Sequence, residues 1–464
     1  MKKLIYILLF INLQFAIGNL QTQGITWQKF YGSGSVDIAY SILQTPDGGY
    51  ITTGRYTTSN GNLFIMKLNQ YGDSVWMRSF PHGWASDIEK TNDGNYIIAG
   101  NFGSLIKINN NSDTLWVKQP NWVDRFSSIK QTSDNGFIIC GAKDEINTYK
   151  PLLQKYDSFG NLQWSKVFTN GFYDGGFTDV LIGPSEFVLI GIFADTIPIY
   201  NRMFLMKTDF SGNQTFFMPY DSIGTPMTIL SSNDNGYIIG GSGPPGISAF
   251  LSKFSVSGNL LWRRVYDPGN RLGKCNYVAK TFDGGYALTG EWDTAGTFDA
   301  YIRLIKTDSL GNEQWRKAYG YIDDHASFCV QQTADTGYII SGYIGVSFDD
   351  LYFIKTDKNG YANPPIGIHE ISNETPLEFK LFQNFPNPFN STTKIRYQVN
   401  RQAKISIKVY NVLGQEIKTL MNREQKVGIY EITFTGNNLS TGLYLYRLIV
   451  EGIIIDTKKM IIIK

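Results

Sequence analysis

Any chemistry in this chain would draw on a thin supply of catalytic side chains. Its 464 residues include three histidines and three cysteines. His369 lies in a Pro-rich stretch, and His82 and His325 fall in variable segments far apart in the chain. The sequence contains no nucleophile elbow, phosphate loop, zinc pattern or calcium loop. One spacing does recur. Asp37, Asp124, Asp174 and His325 each stand 13 residues before an aromatic, at Tyr50, Phe137, Phe187 and Tyr338, with Asp323 and Asp324 beside the last. Carboxylates on a rim suit a hard cation or sugar hydroxyls. The plainer expectation is that they cap the segment leading into a strand, because Gly83, Gly224 and Gly273 hold the same phase elsewhere. Carboxylate pairs for glycoside cleavage are not identifiable among 40 acids by spacing alone. The sequence therefore assigns no catalytic, cofactor-binding or metal-ligating residue.

Those aromatics belong to a unit of about 50 residues, a period typical of propellers and other repeat arrays. Seven times a turn is followed by an aromatic and, four residues on, a glycine, from "DGGYITTG" ending at Gly54 to "DTGYIISG" ending at Gly342. The copies between end at Gly100, Gly141, Gly191, Gly241 and Gly290. A lysine also recurs seven times, at Lys67, Lys107, Lys155, Lys207, Lys253, Lys306 and Lys355. A large aromatic after a second turn occurs only six times, at Trp76, Trp116, Trp164, Phe216, Trp262 and Trp315. In the seventh copy that position falls on Pro364, beside Pro365, where a ladder strand lacks its amide donor. The missing element stands at the other end of the chain, in "GITWQKFYG" with Trp27. The pattern predicts an all-β, seven-bladed β-propeller over residues 19–361, its N-terminal strand closing the last blade and removing the open ends.

In the first copy the four strands read "AYSILQT", "YITTGRY", "LFIMKLN" and "SVWMRSF". Asp or Asn before each turn binds backbone amides two residues on, and Gly supplies the positive φ. The glycine four after the aromatic is expected to let a neighbouring sheet come close, and the aromatic of the last strand to fill the space between blades. The fourth copy departs: "GPSEF" replaces the Asp turn and Phe216 replaces Trp, so an active site, if present, is expected beside that blade. The spacing of Asp, Gly and Trp over residues 25–361 resembles the docking motif of propellers related to quinoprotein dehydrogenases. That resemblance implies the scaffold alone, with no cofactor, because the sequence lacks the adjacent cysteine pair and the calcium-ligand set that quinone cofactors use.

Composition agrees with a globular β protein. The chain is 42% hydrophobic and 18% charged, and its 47 Gly and 28 Tyr favour short strands and tight turns. A formal charge of +2 gives no reason to expect nucleic acid. The opening "MKKLIYILLFINLQFAIGN" sets two lysines before an apolar run ending in small residues, as a signal peptide at residues 1–18 does. That run falls short of the roughly 20 residues that span a bilayer, and no transmembrane segment is expected once it is removed. Cys140, Cys275 and Cys329 cannot all pair and are expected as buried free thiols.

After residue 361 the repeat stops. A Pro-rich linker is expected over 362–378, and residues 379–464 alternate apolar and polar as a small Ig-like β-sandwich. Here "FQNFPNPFNSTTKIRYQV", "VYNVLGQEIKTLMN" and "GIYEITFTGNNLSTGLYLYRLIVEGIIIDTKKMIIIK" resemble the type A C-terminal sorting domain of type IX secretion in gliding and related bacteria. The shared positions include Asn384, Pro386, Asn387, Pro388, Phe389, Leu413, Gly414, Gly442, Tyr444, Lys459 and Met460. The resemblance implies that residues 379–464 engage the type IX machinery, take a periplasmic precursor across the outer membrane and are commonly removed, the cargo being released or attached to the cell surface. Charge separates the parts as well. Residues 379–464 carry 13 Lys and Arg against 5 Asp and Glu, and residues 19–378 carry 27 against 35. A basic face on the module is expected to aid docking on the transport machinery.

Two functions are expected for the propeller. One is a non-catalytic binding or adhesion module for glycan or protein, with Trp84, Trp122, Trp292 and exposed tyrosines available to stack on sugars. The alternative is a secreted polysaccharide- or peptide-degrading enzyme with its site on the propeller face. Few histidines and even repeats favour the first.

Overall fold

The computed structural model describes residues 25–463 apart from 33–34, 58–61, 82, 119–123, 147, 170–173, 195–201, 222–223, 244–247, 267–272, 294–299, 321–324, 346–348, 363–367, 373–377, 391, 426 and 437–438. The proposed signal at 1–18, His82, Trp122, Asp323 and Asp324 therefore lie outside the described residues. Regular structure among the rest is entirely β, in nine four-stranded antiparallel sheets. The chain divides into two units, Met1–Asn363 and Pro364–Lys464.

Blade 1 comprises Ile38–Gln44, Tyr50–Tyr56, Asn62–Leu68 and Ser74–Phe80, hydrogen-bonded in that order. The innermost strands of blades 1 to 7 are Ile38–Gln44, Ala85–Lys90, Asp124–Gln131, Asp174–Ile182, Thr225–Ser231, Tyr277–Lys280 and His325–Gln332. Each touches the innermost strand of the next blade and the seventh touches the first, which closes a ring. The unit is a seven-bladed β-propeller.

The ring is sealed by the N-terminal strand Trp27–Tyr31. It pairs antiparallel with Asp349–Thr356, from Trp27 opposite Lys355 to Tyr31 opposite Leu351, and forms the outer strand of blade 7. Trp27 is buried, and its ring lies 2.7 Å from where a Cβ on Gly72 would stand. Gly72 occupies the last turn of blade 1, so the indole of one blade sits on the turn of the next. The same dock joins Trp116 to Gly160, Trp164 to Gly212, Phe216 to Gly258, Trp262 to Gly311 and Trp315 to Gly360. At Gly72 both causes of a glycine requirement coincide: φ is +78°, and the space for a side chain is already filled.

The glycine four after the repeat aromatic serves its own sheet, which corrects the expectation of an approaching neighbour. A Cβ on Gly54 would lie 2.0 Å from the Ile38 carbonyl oxygen, and one on Gly342 the same distance from that of Ala326. Those carbonyls belong to the innermost strand of the same blade, where a bulge inserts one extra residue.

The seven repeat lysines also have a shared role. Each reaches from the third strand to the acid of the first turn, as in Lys67–Asp47 at 2.8 Å, Lys155–Asp134 at 2.8 Å and Lys306–Asp283 at 2.8 Å. Lys107–Asp93, Lys253–Asp234 and Lys355–Asp335 repeat it. In blade 4 Glu186 takes the place of the turn aspartate and meets Lys207 at 2.7 Å, so the departure of that copy is compensated locally. The lysine stem is buried between sheets while its ammonium finds a carboxylate at the rim.

The second unit holds two sheets. One orders Ile368–Ser372, Gly428–Thr435, Thr392–Val399 and Lys380–Leu381, and the other Glu416–Gln425, Ala403–Tyr410, Gly442–Val450 and Ile453–Ile462. Tyr397, Tyr430, Ile407, Tyr446 and Met460 belong to one buried core between them, as a β-sandwich requires. Residues 368–372, expected within a linker, instead pair with Gly428–Thr435 and cover an otherwise open sheet edge.

Candidate functional site

On the innermost strands of blades 1, 3, 5 and 6, backbone N–H groups find acceptors in side chains of an adjacent blade's innermost strand. Asp87 Oδ2 accepts from Ile129 N at 3.2 Å, Asp179 Oδ2 from Ile229 N at 2.9 Å, and Thr228 Oγ1 from Val278 N at 3.3 Å. Nearer the other end, Glu89 Oε1 accepts from Gln131 N at 3.4 Å and Gln331 Oε1 from Gln44 N at 3.3 Å. Lys130 stands between Asp87 at 3.3 Å and Glu89 at 3.4 Å. Burial opposes its charge, and Asp87, Glu89 and Asp179 overcome that, holding the ammonium well above the ordinary lysine value. Burial raises the Glu89 and Asp179 carboxyls, with Lys130 opposing in both cases. This layer joins blades 2, 3 and 4 through one ionic group in the channel wall.

A second layer is set by the bulges. Their extra residues are Tyr40, Ser86, Ser127, Thr178, Met227 and Phe328. In blade 6 Asn276 holds the equivalent place, one residue before Tyr277–Lys280. All seven keep partial exposure although they lie on the innermost strands, and the residue before each is buried. Solvent therefore reaches this depth through the channel. The ring is asymmetric: Tyr40 and Phe328, from adjacent blades, meet edge to face at 5.0 Å, and Tyr343 stacks on Phe328 at 6.1 Å. Hydroxyls and an amide occupy blades 2, 3, 4 and 6.

The two ends of the ring differ. Every first turn spans five residues except that of blade 4, which spans four, and every described third-to-outer turn spans five. Connections between second and third strands vary from two to seven residues. Antiparallel order places these, with the links between blades, at the same end.

The acids singled out by spacing do begin or immediately precede innermost strands, and the structure engages them locally. Asp37 is buried and accepts Thr57 N at 2.7 Å, Asp174 accepts Tyr149 N at 2.6 Å, and Gln154 Nε2 donates to Asp124 at 3.1 Å. His325 is fully buried against Tyr352 at 6.5 Å. No group of three or more His, Cys, Asp or Glu suited to a metal forms among the described residues. Cys140, Cys275 and Cys329 are free and buried, and burial pushes the Cys275 and Cys329 thiols up to about 12. Trp292 corrects an expectation: it lies inside a strand, 5% exposed, with the Arg303 guanidinium 3.1 Å from its ring centre. Trp84 is half-buried against Phe102 and Arg55. Asp87, Glu89, Lys130 and the bulge residues were not singled out by spacing; the signal that marks them is the unlike residue types that the seven copies carry seven, nine and ten residues before the aromatic.

In the second unit the shared motif ties the start of the module to its end. Asn384 is 2% exposed, and its Nδ2 donates to Thr393 Oγ1 at 2.9 Å and to the Pro386 carbonyl at 3.1 Å. Asn387 Oδ1 accepts Ile461 N at 2.8 Å, and the Phe389 backbone bonds Ile461 and Ile463. Leu413 projects from its turn 80% exposed.

Comparison with known proteins bears on both units. No curated protein matches the chain. Among solved structures, a catalytically inactive virginiamycin B lyase from Staphylococcus aureus with quinupristin is similar at 12% identity and TM-score 0.49, covering 71% of this chain and 99% of that one. The WD40 propeller domain of Doa1 is similar at 10% identity and TM-score 0.47, covering 71% and 96%. A protein of unknown function from Bacteroides caccae is similar at 12% identity and TM-score 0.39, covering 57% and 93%. Residues 383–464 match the family described as the secretion system C-terminal sorting domain. With Asn384 buried and Asn387 bonded to the closing strand, this segment is a type IX sorting domain, and the chain is a β-propeller protein exported through the periplasm to the cell surface or the medium.

Proposed function

We propose that the propeller is a non-catalytic binding or adhesion module for a glycan or protein ligand, preceded by a signal at 1–18 and delivered by the sorting domain at 379–464. The supporting observation is the difference between the two ends of the ring. One end repeats near-constant turns locked by lysine–carboxylate pairs, while the other carries connections of two to seven residues. A rigid scaffold that varies only at one end is how binding surfaces are built.

A secreted polysaccharide- or peptide-degrading enzyme is the second reading. It is favoured by Glu89, half-buried on the innermost strand of blade 2, whose carboxyl burial raises, as a general acid requires. A glycan and protein array probed with the secreted protein, followed by a depolymerisation assay on whatever binds, separates the two. Binding without turnover supports the first reading. Product release that Glu89→Gln abolishes overturns it.

A further inference from the structure

The geometry points to the bulge ring of the central channel as a binding site for a neutral pyranose: the Tyr40–Phe328 pair takes the C–H face of a sugar ring, and Ser127 and Thr178 across the lumen, with Ser86 and Asn276 at its sides, take hydroxyls. This deepens the binding-module reading and rests on it.

Three observations carry the assignment. First, the ring is wet. All seven bulge residues retain partial exposure on strands otherwise packed inside the propeller, and below them the side chains of Lys130 and Asp87 are 31% and 17% exposed. Second, the aromatic surface is continuous and confined to one arc. Tyr40 braces Phe328 edge to face at 61°, Tyr343 stacks on Phe328 at an interplanar angle of 28°, and both Tyr40 and Phe328 keep partial exposure, so aromatic carbon is available there to polarised C–H groups. Third, the facing arc offers the hydroxyls of Ser127 and Thr178, with the Met227 thioether beside them. At the side, next to Phe328, the Asn276 amide is fixed by its Nδ2 bond to Ser327 O at 3.0 Å.

Charge selects among ligands. The layer beneath holds three carboxylates, Asp87, Glu89 and Asp179, against the single ammonium of Lys130. An anionic ligand would meet no free cation there, because Lys130 is held by Asp87 and Glu89, and an apolar peptide would leave the hydroxyl arc unpaired. A neutral sugar, amphipathic with one apolar face and a hydroxyl rim, meets neither penalty.

Isothermal titration of the full secreted protein with cellotetraose, mannotetraose, maltotetraose and xylotetraose tests the assignment. At least one probe is expected to bind, and Phe328→Ala and Tyr40→Ala are each expected to weaken it by about tenfold, while Tyr40→Phe stays near wild type. Truncation beside the core risks unfolding, so Ser127→Trp supplies an independent arm. It adds bulk from the opposite wall and is expected to abolish binding with the thermal unfolding midpoint retained. Unchanged affinity in a folded Phe328→Ala protein and in Ser127→Trp would overturn the channel site while leaving the binding-module reading standing. A protein ligand captured with no pyranose bound would do the same. Failure to bind glycan and protein alike would overturn both.

Discussion

Replacing Trp27 by Ala tests ring closure directly. The indole is 7% exposed, packs edge to face on Tyr50 at 5.7 Å, and donates its Nε1–H to Gln70 O at 2.9 Å. A buried Trp covers about 150 to 250 Å², which at about 25 cal/mol per Å² gives roughly 4 to 6 kcal/mol as an upper figure. Measured Trp→Ala losses in cores run about 3 to 5 kcal/mol, and the stranded Gln70 carbonyl adds about 1 kcal/mol. The sum approaches the total stability of a typical domain, about 5 to 15 kcal/mol. Urea unfolding should therefore show a sharply lowered midpoint. Amide exchange read by mass spectrometry should show protection lost at 27–31 and along Asp349–Thr356, the strand it covers. Retained protection at 27–31 with an unmoved midpoint would refute the closure argument.

Further outcomes follow from the same contacts. Trp164→Ala, in the middle of the ring, is expected to cost about 3 to 5 kcal/mol by emptying its dock on Gly212 while leaving exchange at 27–31 slow; an unmoved melting curve would refute that placement. Asp283→Ala strips Lys306 of its carboxylate and should cost about 1 to 3 kcal/mol in chemical denaturation, with Lys306→Met milder because no ammonium is then left to solvate. Burial pushes the Asp47, Asp134 and Asp283 carboxyls up, but hydrogen bonds from their lysines and threonines outweigh it and set them at about 2 against an ordinary 3.8. Their stabilisation is therefore complete above the ordinary value and lost as pH falls through the folded one. Fluorescence-monitored urea midpoints should fall between about pH 4 and pH 2, and equal midpoints at both would contradict the pairing. Neutralising Lys404, Lys408 and Lys418 together should reduce the amount of protein reaching the medium or surface, measured by fractionation; undiminished export would remove the docking role of the basic face.

Ring and seam were legible because each depends on residues that tolerate little replacement: turn glycines at positive φ, the outer-strand aromatic and the orphan Trp27. What misled was function shared between sheets. Gly54 looked like a concession to a neighbour, but the close approach is its own Ile38 carbonyl, since the bulge beside it leaves no mark in a one-dimensional pattern. Trp292 read as a loop aromatic because Asp and Gly residues follow it, yet the strand runs on to Asp293 and Arg303 covers the ring. The strand-start acids had the right phase and, as the capping reading expected, bind local backbone, but their donors Thr57 N and Tyr149 N lie on another loop of the blade that no spacing reveals. The channel layer was hidden for a deeper reason. A radial array brings one residue from each blade to the axis, so its site is a column read down seven copies. Unlike residues in that column, such as Asp87, Ser128, Asp179 and Tyr277, register as noise in a repeat search.

Gln28 and Tyr352 hydrogen-bond across 324 positions of chain, which makes the first strand wait for the last blade. A polypeptide emerging from its N-terminus can stack sheets as they arrive but cannot latch them until Thr356 has appeared, shortly before the sorting domain. The moment at which the ring can close and the moment at which its export label becomes readable are thereby placed almost together in time. A machine that recognises only the label would, through this arrangement of the chain, seldom meet cargo still lacking the residues it needs to close.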